Sequence, residues 1–192
     1  MTASTVTLKS GIYLTDEQFD ELCLNHPEMQ FEQTAKGALI IMSPTGGETG
    51  KRNFSLIVQF GNWIEQDGTG FGFDSSTVFK LPSGAKRSPD AAWVKCDRWE
   101  CLSPKEREGF PPIAPDFVIE LRSRTDSLED LQQKMQEYID NGARLGWLLN
   151  RQDRQVEIYR PGKTVEVLQA PATISGEEVL PGFVLDLKSL LI

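Results

Sequence analysis

The stretch Asp116-Phe117-Val118-Ile119-Glu120-Leu121-Arg122 constrains the fold more than any other part of the chain. Its centre is an unbroken apolar run apart from one glutamate, the pattern of a strand buried inside a sheet. Side chains on a strand alternate, so Phe117, Ile119 and Leu121 share one face while Asp116, Val118, Glu120 and Arg122 share the other. A carboxylate in such a strand needs a partner, because an unpaired buried ion carries a desolvation penalty of several kcal/mol. The strand therefore predicts both a core sheet and a polar site built on it.

Helical and extended signals alternate around this strand. Thr15 ahead of Asp16-Glu17 and the apolar run Phe19, Leu22 and Cys23 predict an N-capped helix ending near Leu24. Residues 29–34 and 38–43 flank Ala35-Lys36-Gly37 and predict a hairpin, followed by a loop through Ser43-Pro44-Thr45-Gly46-Gly47. The spacing of Phe54, Ile57, Val58, Gly61, Trp63 and Ile64 predicts a long helix over 48–66, ended by Gly68 and Gly70. Strands are expected at 71–73, 77–81 and 90–94, then an irregular connection over 97–115 with one short helix. A helix over 127–141 closed by Gly142, a buried strand at 145–149, a hairpin of 156–159 with 165–168, and a short strand after Pro181-Gly182 complete the order. Residues 1–12 read as a tail, with 1–10 loose, and 13–192 as one domain. The sum is a single α/β domain, a mixed β-sheet flanked by helices.

Composition excludes several chemistries. The chain has one histidine, His26, which sits before a proline in a turn-like context, so imidazole-based triads and relays have almost nothing to work with. Three cysteines without CxxC spacing argue against a structural zinc site and for free thiols in a reducing compartment. Neither a signal peptide nor a run of apolar residues long enough for a membrane span is evident, which makes the cytoplasm the expected location. Gly46-Gly47 with Gly50-Lys51 lacks the spacing of a phosphate loop, and no GxGxxG occurs. A net charge of −8 argues against a non-specific grip on nucleic acid. It does not exclude a nuclease, because bound cations offset the carboxylates of a metal site.

Carboxylates and lysines are left to do any catalytic work. Asp90 follows Ser88-Pro89 at the start of the strand Ala91-Ala92-Trp93-Val94, so two apolar strands each bear one carboxylate. Asp90 and Glu120 together suit a shared divalent cation, Mg²⁺ or Mn²⁺, which takes oxygen ligands and keeps water. On the following helix, Leu128, Leu131, Met135, Tyr138 and Ile139 form the core-facing stripe and Lys134 lies on its border, turned toward the sheet. Such a lysine could orient a water or stabilise developing phosphoryl charge. Plainer readings exist for each residue. Glu32, with Gln30 and Thr34, falls on the solvent side of a simple hairpin alternation. Asp90 could be a strand-entry turn residue, Glu120 could pair with Arg122 or Lys134 without metal, and Lys134 could be a helix-edge residue reaching for water.

The ordered set Glu32, Ser88-Pro89-Asp90, Val118-Ile119-Glu120-Leu121-Arg122, Lys134, Tyr138, Gly142 and Gly146-Trp147 resembles the Uma2 family. Met42-Ser43-Pro44-Thr45-Gly46 and the ending Leu180-Pro181-Gly182-Phe183-Val184-Leu185-Asp186-Leu187 add to the likeness, which runs from about Tyr13 to Leu191. This is a restriction-endonuclease-like family, formerly a domain of unknown function, within the PD-(D/E)XK nuclease superfamily. The resemblance implies a Mg²⁺- or Mn²⁺-dependent endonuclease acting on DNA, with Asp90 and Glu120 as metal ligands. It implies Glu32 as the additional acid of the site and Lys134 as the lysine that positions the nucleophilic water. Arg122 stands where the simple motif would place a lysine, and an arginine, always protonated, cannot serve as a base. Many relatives carry a histidine near the position of Gly50 or Lys51, which this chain lacks. By analogy a homodimer is expected. The competing expectation is a weak or inactive nuclease fold that serves as a nucleic-acid- or protein-binding module.

Overall fold

The computed structural model describes residues 6–8, 14–42 and 44–191. In chain order it begins with β1 (Val6–Leu8), α1 (Asp16–Asn25), β2 (Gln30–Gln33), β3 (Leu39–Met42) and α2 (Gly47–Asp67). There follow β4 (Gly70–Asp74), β5 (Phe79–Lys80), β6 (Lys86–Arg87), β7 (Ala91–Lys95), α3 (Cys96–Glu100) and α4 (Pro104–Glu108). The second half holds β8 (Phe117–Leu121), α5 (Leu128–Asp140), β9 (Leu145–Asn150), β10 (Gln155–Tyr159) and β11 (Glu166–Gln169). It closes with β12 (Thr173–Ser175), β13 (Val184–Asp186) and α6 (Lys188–Leu191).

A six-stranded sheet in the order β11-β10-β9-β8-β7-β4 forms the body of the molecule. Only β8 and β9 run parallel, joined across α5; the other neighbours are antiparallel. A parallel pair needs a crossover of this kind, since no tight turn can return the chain to the same edge. The two faces of β8 then feed two cores. Phe117, Ile119 and Leu121 pack with Leu56 and Phe60 of α2 and with Trp147 and Phe183. Val118 packs with Met135, Tyr138 and Ile139 of α5 and with Leu148 and Tyr159. The alternation expected of this strand is the alternation observed, and Trp147 is wholly buried in the first core.

A smaller sheet, β1-β3-β2-β6-β5, stands beside it. The chain crosses between the two sheets from β3 to β4 through α2, back from β4 to β5, and last from β6 to β7 through Ser88-Pro89-Asp90. Thr15 caps α1 in a reciprocal box with Gln18. Lys80 and Lys86 hold α1 to the small sheet through Asp16 and Asp20.

Several expectations change. Val6–Leu8 pairs antiparallel with Leu39–Ile41 in place of a loose tail; the rest of residues 1–13, and Ser43 of the expected hairpin and loop, lie outside the described residues. The strand expected over 77–81 shrinks to Phe79–Lys80 because the chain turns through Asp74–Thr77 and again at Leu81–Ala85. The connection over 97–115 carries two short helices rather than one, the second capped by Ser103 with Glu106. Among the described residues no helix is long and apolar enough to cross a membrane.

Candidate active site

The junction of the two sheets with α5 brings together Glu32, Asp90, Glu120 and Lys134. Glu32 comes from β2, Glu120 from the far end of β8 and Lys134 from the second turn of α5, whose N-terminus is capped by Ser127. Lys134 Nζ lies 2.7 Å from Glu32 Oε1 and 2.7 Å from Glu120 Oε1, and donates to the Ser88 carbonyl at 3.4 Å. Tyr138, one turn further along α5, donates its hydroxyl to Glu120 Oε1 at 3.1 Å. The ion pair that would satisfy Glu120 without metal is thus present, and Lys134 rather than Arg122 makes it.

Glu32 corrects the hairpin alternation, which turned it to solvent. It is 2% exposed. The strand is interior to the small sheet, flanked by β3 and β6, and the face carrying Glu32 is covered by Arg87 and Lys134. Arg87 Nη1 donates to Glu32 Oε2 at 3.0 Å, the Ser88 amide to Oε1 at 2.8 Å, and Arg87 Nε to Glu137 Oε2 at 2.5 Å. Burial alone would raise the Glu32 pKa, but the charges of Lys134 and Arg87 outweigh it and hold the carboxyl below its ordinary range.

Among the described residues, Asp90 has no charged partner at hydrogen-bond distance. Its Oδ2 accepts from the Leu121 amide at 2.7 Å and its Oδ1 from Asn53 Nδ2 of α2 at 3.4 Å. Loss of hydration raises its pKa to about 6 despite the Leu121 N–H, with the charges of Asp126 and Glu32 adding to the rise. Glu120 is pushed up to about 8, chiefly by burial and then by the neighbouring Asp90 and Glu32, against the pull of Lys134. Lys134 itself stays protonated: burial favours the neutral amine, but Glu120 and Glu32 raise its pKa above the usual lysine value.

These groups line one cleft of about 1390 Å³, which also takes in Thr49, Asn53, Arg124 and Asp130. Its charge is unbalanced. In the ion-paired cluster at the sheet junction, Glu32, Asp90, Glu120 and Glu137 face Arg87 and Lys134, so full ionisation of these six groups leaves two negative charges, the charge of one divalent cation. Asp126, near enough to act on Asp90, deepens the excess. Among the described residues no three His, Cys, Asp or Glu side chains already surround a common point fit for a metal. The donors are nevertheless all oxygen, two of them carboxylates on adjoining strands, and such a set suits a hard cation that binds through one or two carboxylates and keeps its water. Asp90 and Glu120 fit that role.

Other sequence candidates lie elsewhere. Arg122 donates Nη1 to Asn150 Oδ1 at 3.1 Å and to Asp153 Oδ2 at 3.2 Å, tying β8 to the turn after β9. His26 is exposed beside Glu28 and Phe31. Two participants escaped the sequence reading, Arg87 and Asn53, the latter hidden in a long amphipathic helix; Tyr138 stood in the resembling set but was otherwise read as core. The signal for Arg87 was its place next to Ser88-Pro89-Asp90, where adjacent Lys86 and Arg87 must point to opposite faces of a strand.

Comparison with known proteins agrees with this architecture. A putative nuclease belonging to DUF820 from Anabaena variabilis ATCC 29413 superposes with a TM-score of 0.74 at 21% identity, over 93% of this chain and 97% of that one. At that identity the likeness speaks for the fold. A search of curated proteins finds no match. The family model described as "Uma2: Putative restriction endonuclease" matches residues 16–188, from the start of α1 to the start of α6 and across every residue of the cleft described above; the chain belongs to the Uma2 family.

Proposed function

We propose that the protein is a divalent-metal-dependent endonuclease that hydrolyses DNA phosphodiester bonds, with Mg²⁺ or Mn²⁺ as its cofactor. The observation that carries the reading is the charge imbalance at the sheet junction: two carboxylates, Asp90 and Glu120, left without enough cation beside a lysine fixed between two acids. Asp90 and Glu120 would hold the cation, which when bound supplies Lewis-acid stabilisation of phosphoryl charge and a more acidic water. Lys134, protonated and held by Glu32 and Glu120, is a rigid donor that positions the nucleophilic water and faces developing negative charge. Glu32 keeps that lysine in place through its own ties to Arg87 and the Ser88 amide. The Leu121 N–H fixes the Asp90 carboxylate. Family membership supports nucleic acid as the substrate class.

Plasmid DNA incubated with purified protein should be nicked or linearised in Mn²⁺ and left intact in EDTA, and Asp90→Ala should abolish both cleavage and cation binding. Cleavage retained by Asp90→Ala would sink the assignment. A second reading, a nuclease fold that binds without cutting, is favoured by the acidic lining of the cleft, where Glu28, Asp126, Asp130 and Asp140 outnumber the exposed cations Lys36 and Arg124. Cation binding without cleavage of any nucleic acid would select it.

A further inference from the structure

Asn53 carries a polar atom that the site as described leaves unused. It stands on α2, on the same helical face as Gly46 and Thr49, and lines the cleft with Asp90 and Glu120. Its Nδ2 donates to Asp90 Oδ1 at 3.4 Å, while its Oδ1 is closed off from solvent and finds no hydrogen-bond donor among the described residues. Rotating the amide would not cure this, because it would set Oδ1 against the Asp90 carboxylate, oxygen against oxygen. An enclosed amide oxygen without a donor is costly, and native interiors satisfy such atoms with a donor, an ordered water or an ion. Here the neighbouring carboxylates already lack positive charge, so a cation answers both deficits and a water answers only one. An asparagine carbonyl is also an ordinary ligand for a hard divalent ion.

We propose that Asn53 supplies, through Oδ1, a third protein oxygen to a divalent cation held with Asp90 and Glu120. The inference rests on the metal-dependent reading above and adds α2 to the two strands that build the centre. It gives the long helix a role at the site besides its packing of Leu56 and Phe60. It also distinguishes two functions of one side chain: Nδ2 positions Asp90, and Oδ1 binds the ion.

The test is Mn²⁺ titration by calorimetry of the full chain, with metal-free thermal melting as the control for folding. Asn53→Ala should weaken Mn²⁺ binding about tenfold, in the range that loss of a supporting group at a metal site costs. Asn53→Asp should bind at least as tightly as the wild type, because it keeps an oxygen at the ligand position and adds charge, although it loses the Nδ2 donor. Equal affinity for Asn53→Ala and wild type would overturn the proposal. So would an Asn53→Asp variant as weak as Asn53→Ala, since that would assign the residue's whole effect to Nδ2. Should Asn53→Ala fail to fold, Asn53→Asp decides by the same criterion. Absence of Mn²⁺ binding in the wild type, or wild-type affinity in Asp90→Asn, would instead overturn the metal reading itself, so the two failures are separable.

Discussion

Lys134 carries one positive charge and serves two buried carboxylates, so its removal leaves Glu32 with Arg87 alone and Glu120 with Tyr138. Breaking a buried pair from one side costs about 3–5 kcal/mol. Lys134→Met should therefore lower metal-free stability by that order in urea denaturation, and millimolar Mn²⁺ should recover part of the loss; a change below about 1 kcal/mol, the worth of an exposed pair, would contradict the buried geometry. Titration gives a second expectation. Asp90 and Glu120 have folded pKa values raised to about 6 and about 8, so the folded state keeps protons that the unfolded chain has released. Their stabilising contribution is complete below the ordinary carboxylate range and disappears as pH rises through those two values. Glu32, whose pKa is lowered, contributes in the opposite sense and loses its contribution only in acid. Thermal melts in EDTA should thus decline from mildly acid to mildly alkaline pH, and saturating Mn²⁺ should flatten the decline by taking the place of the protons. A flat profile in EDTA would count against the arrangement of the three acids.

At the level of elements, α5 decides whether the lysine reaches its partners, and its distance from the sheet is set partly at Gly146. A Cβ there would meet Met135 Cε at 2.5 Å and Val118 Cγ2 at 3.3 Å. Alanine can be admitted if the flexible end of Met135 swings aside. Gly146→Val cannot be relieved that way, and should cost about 1–3 kcal/mol by overpacking while lifting α5 from β8. Its kcat for cleavage should fall more than that of Gly146→Ala, and similar rates for the two would show that helix spacing does not govern the site. The stripe of α5, the faces of β8 and the position of Lys134 were legible in the sequence because each rests on a periodicity sustained over a full element. For Glu32 the resemblance and the periodicity disagree: alternation in a short hairpin assigns its face to water by default, and here Arg87 and α5 cover that face. Lys86–Arg87 was missed as a strand because two charged residues carry no period at all. Arg122 was placed on the face of Glu120 by alternation, but beyond the end of β8 its long side chain turns to Asn150 and Asp153.

For the molecule as a whole, a net charge of −8 and a cleft rimmed by acids mean that few phosphate contacts can be made by exposed cations. Affinity for nucleic acid in the presence of Ca²⁺ should therefore depend only weakly on salt, with a log–log slope of roughly −1 to −2 rather than the steep dependence of a basic groove. A slope near −5 would reveal a cationic surface that the cleft does not contain. The short passage through Ser88-Pro89-Asp90 has a separate consequence. Three residues span the gap between two sheets, so there is no slack by which one sheet could swing from the other while its strands stay paired. The Ser88 amide, bound to Glu32, and the Leu121 amide, bound to Asp90, are in effect latches on the two sides of that gap. In native-state hydrogen exchange both should open with the same free energy as global unfolding, which would make the candidate site one of the last parts of this protein to breathe.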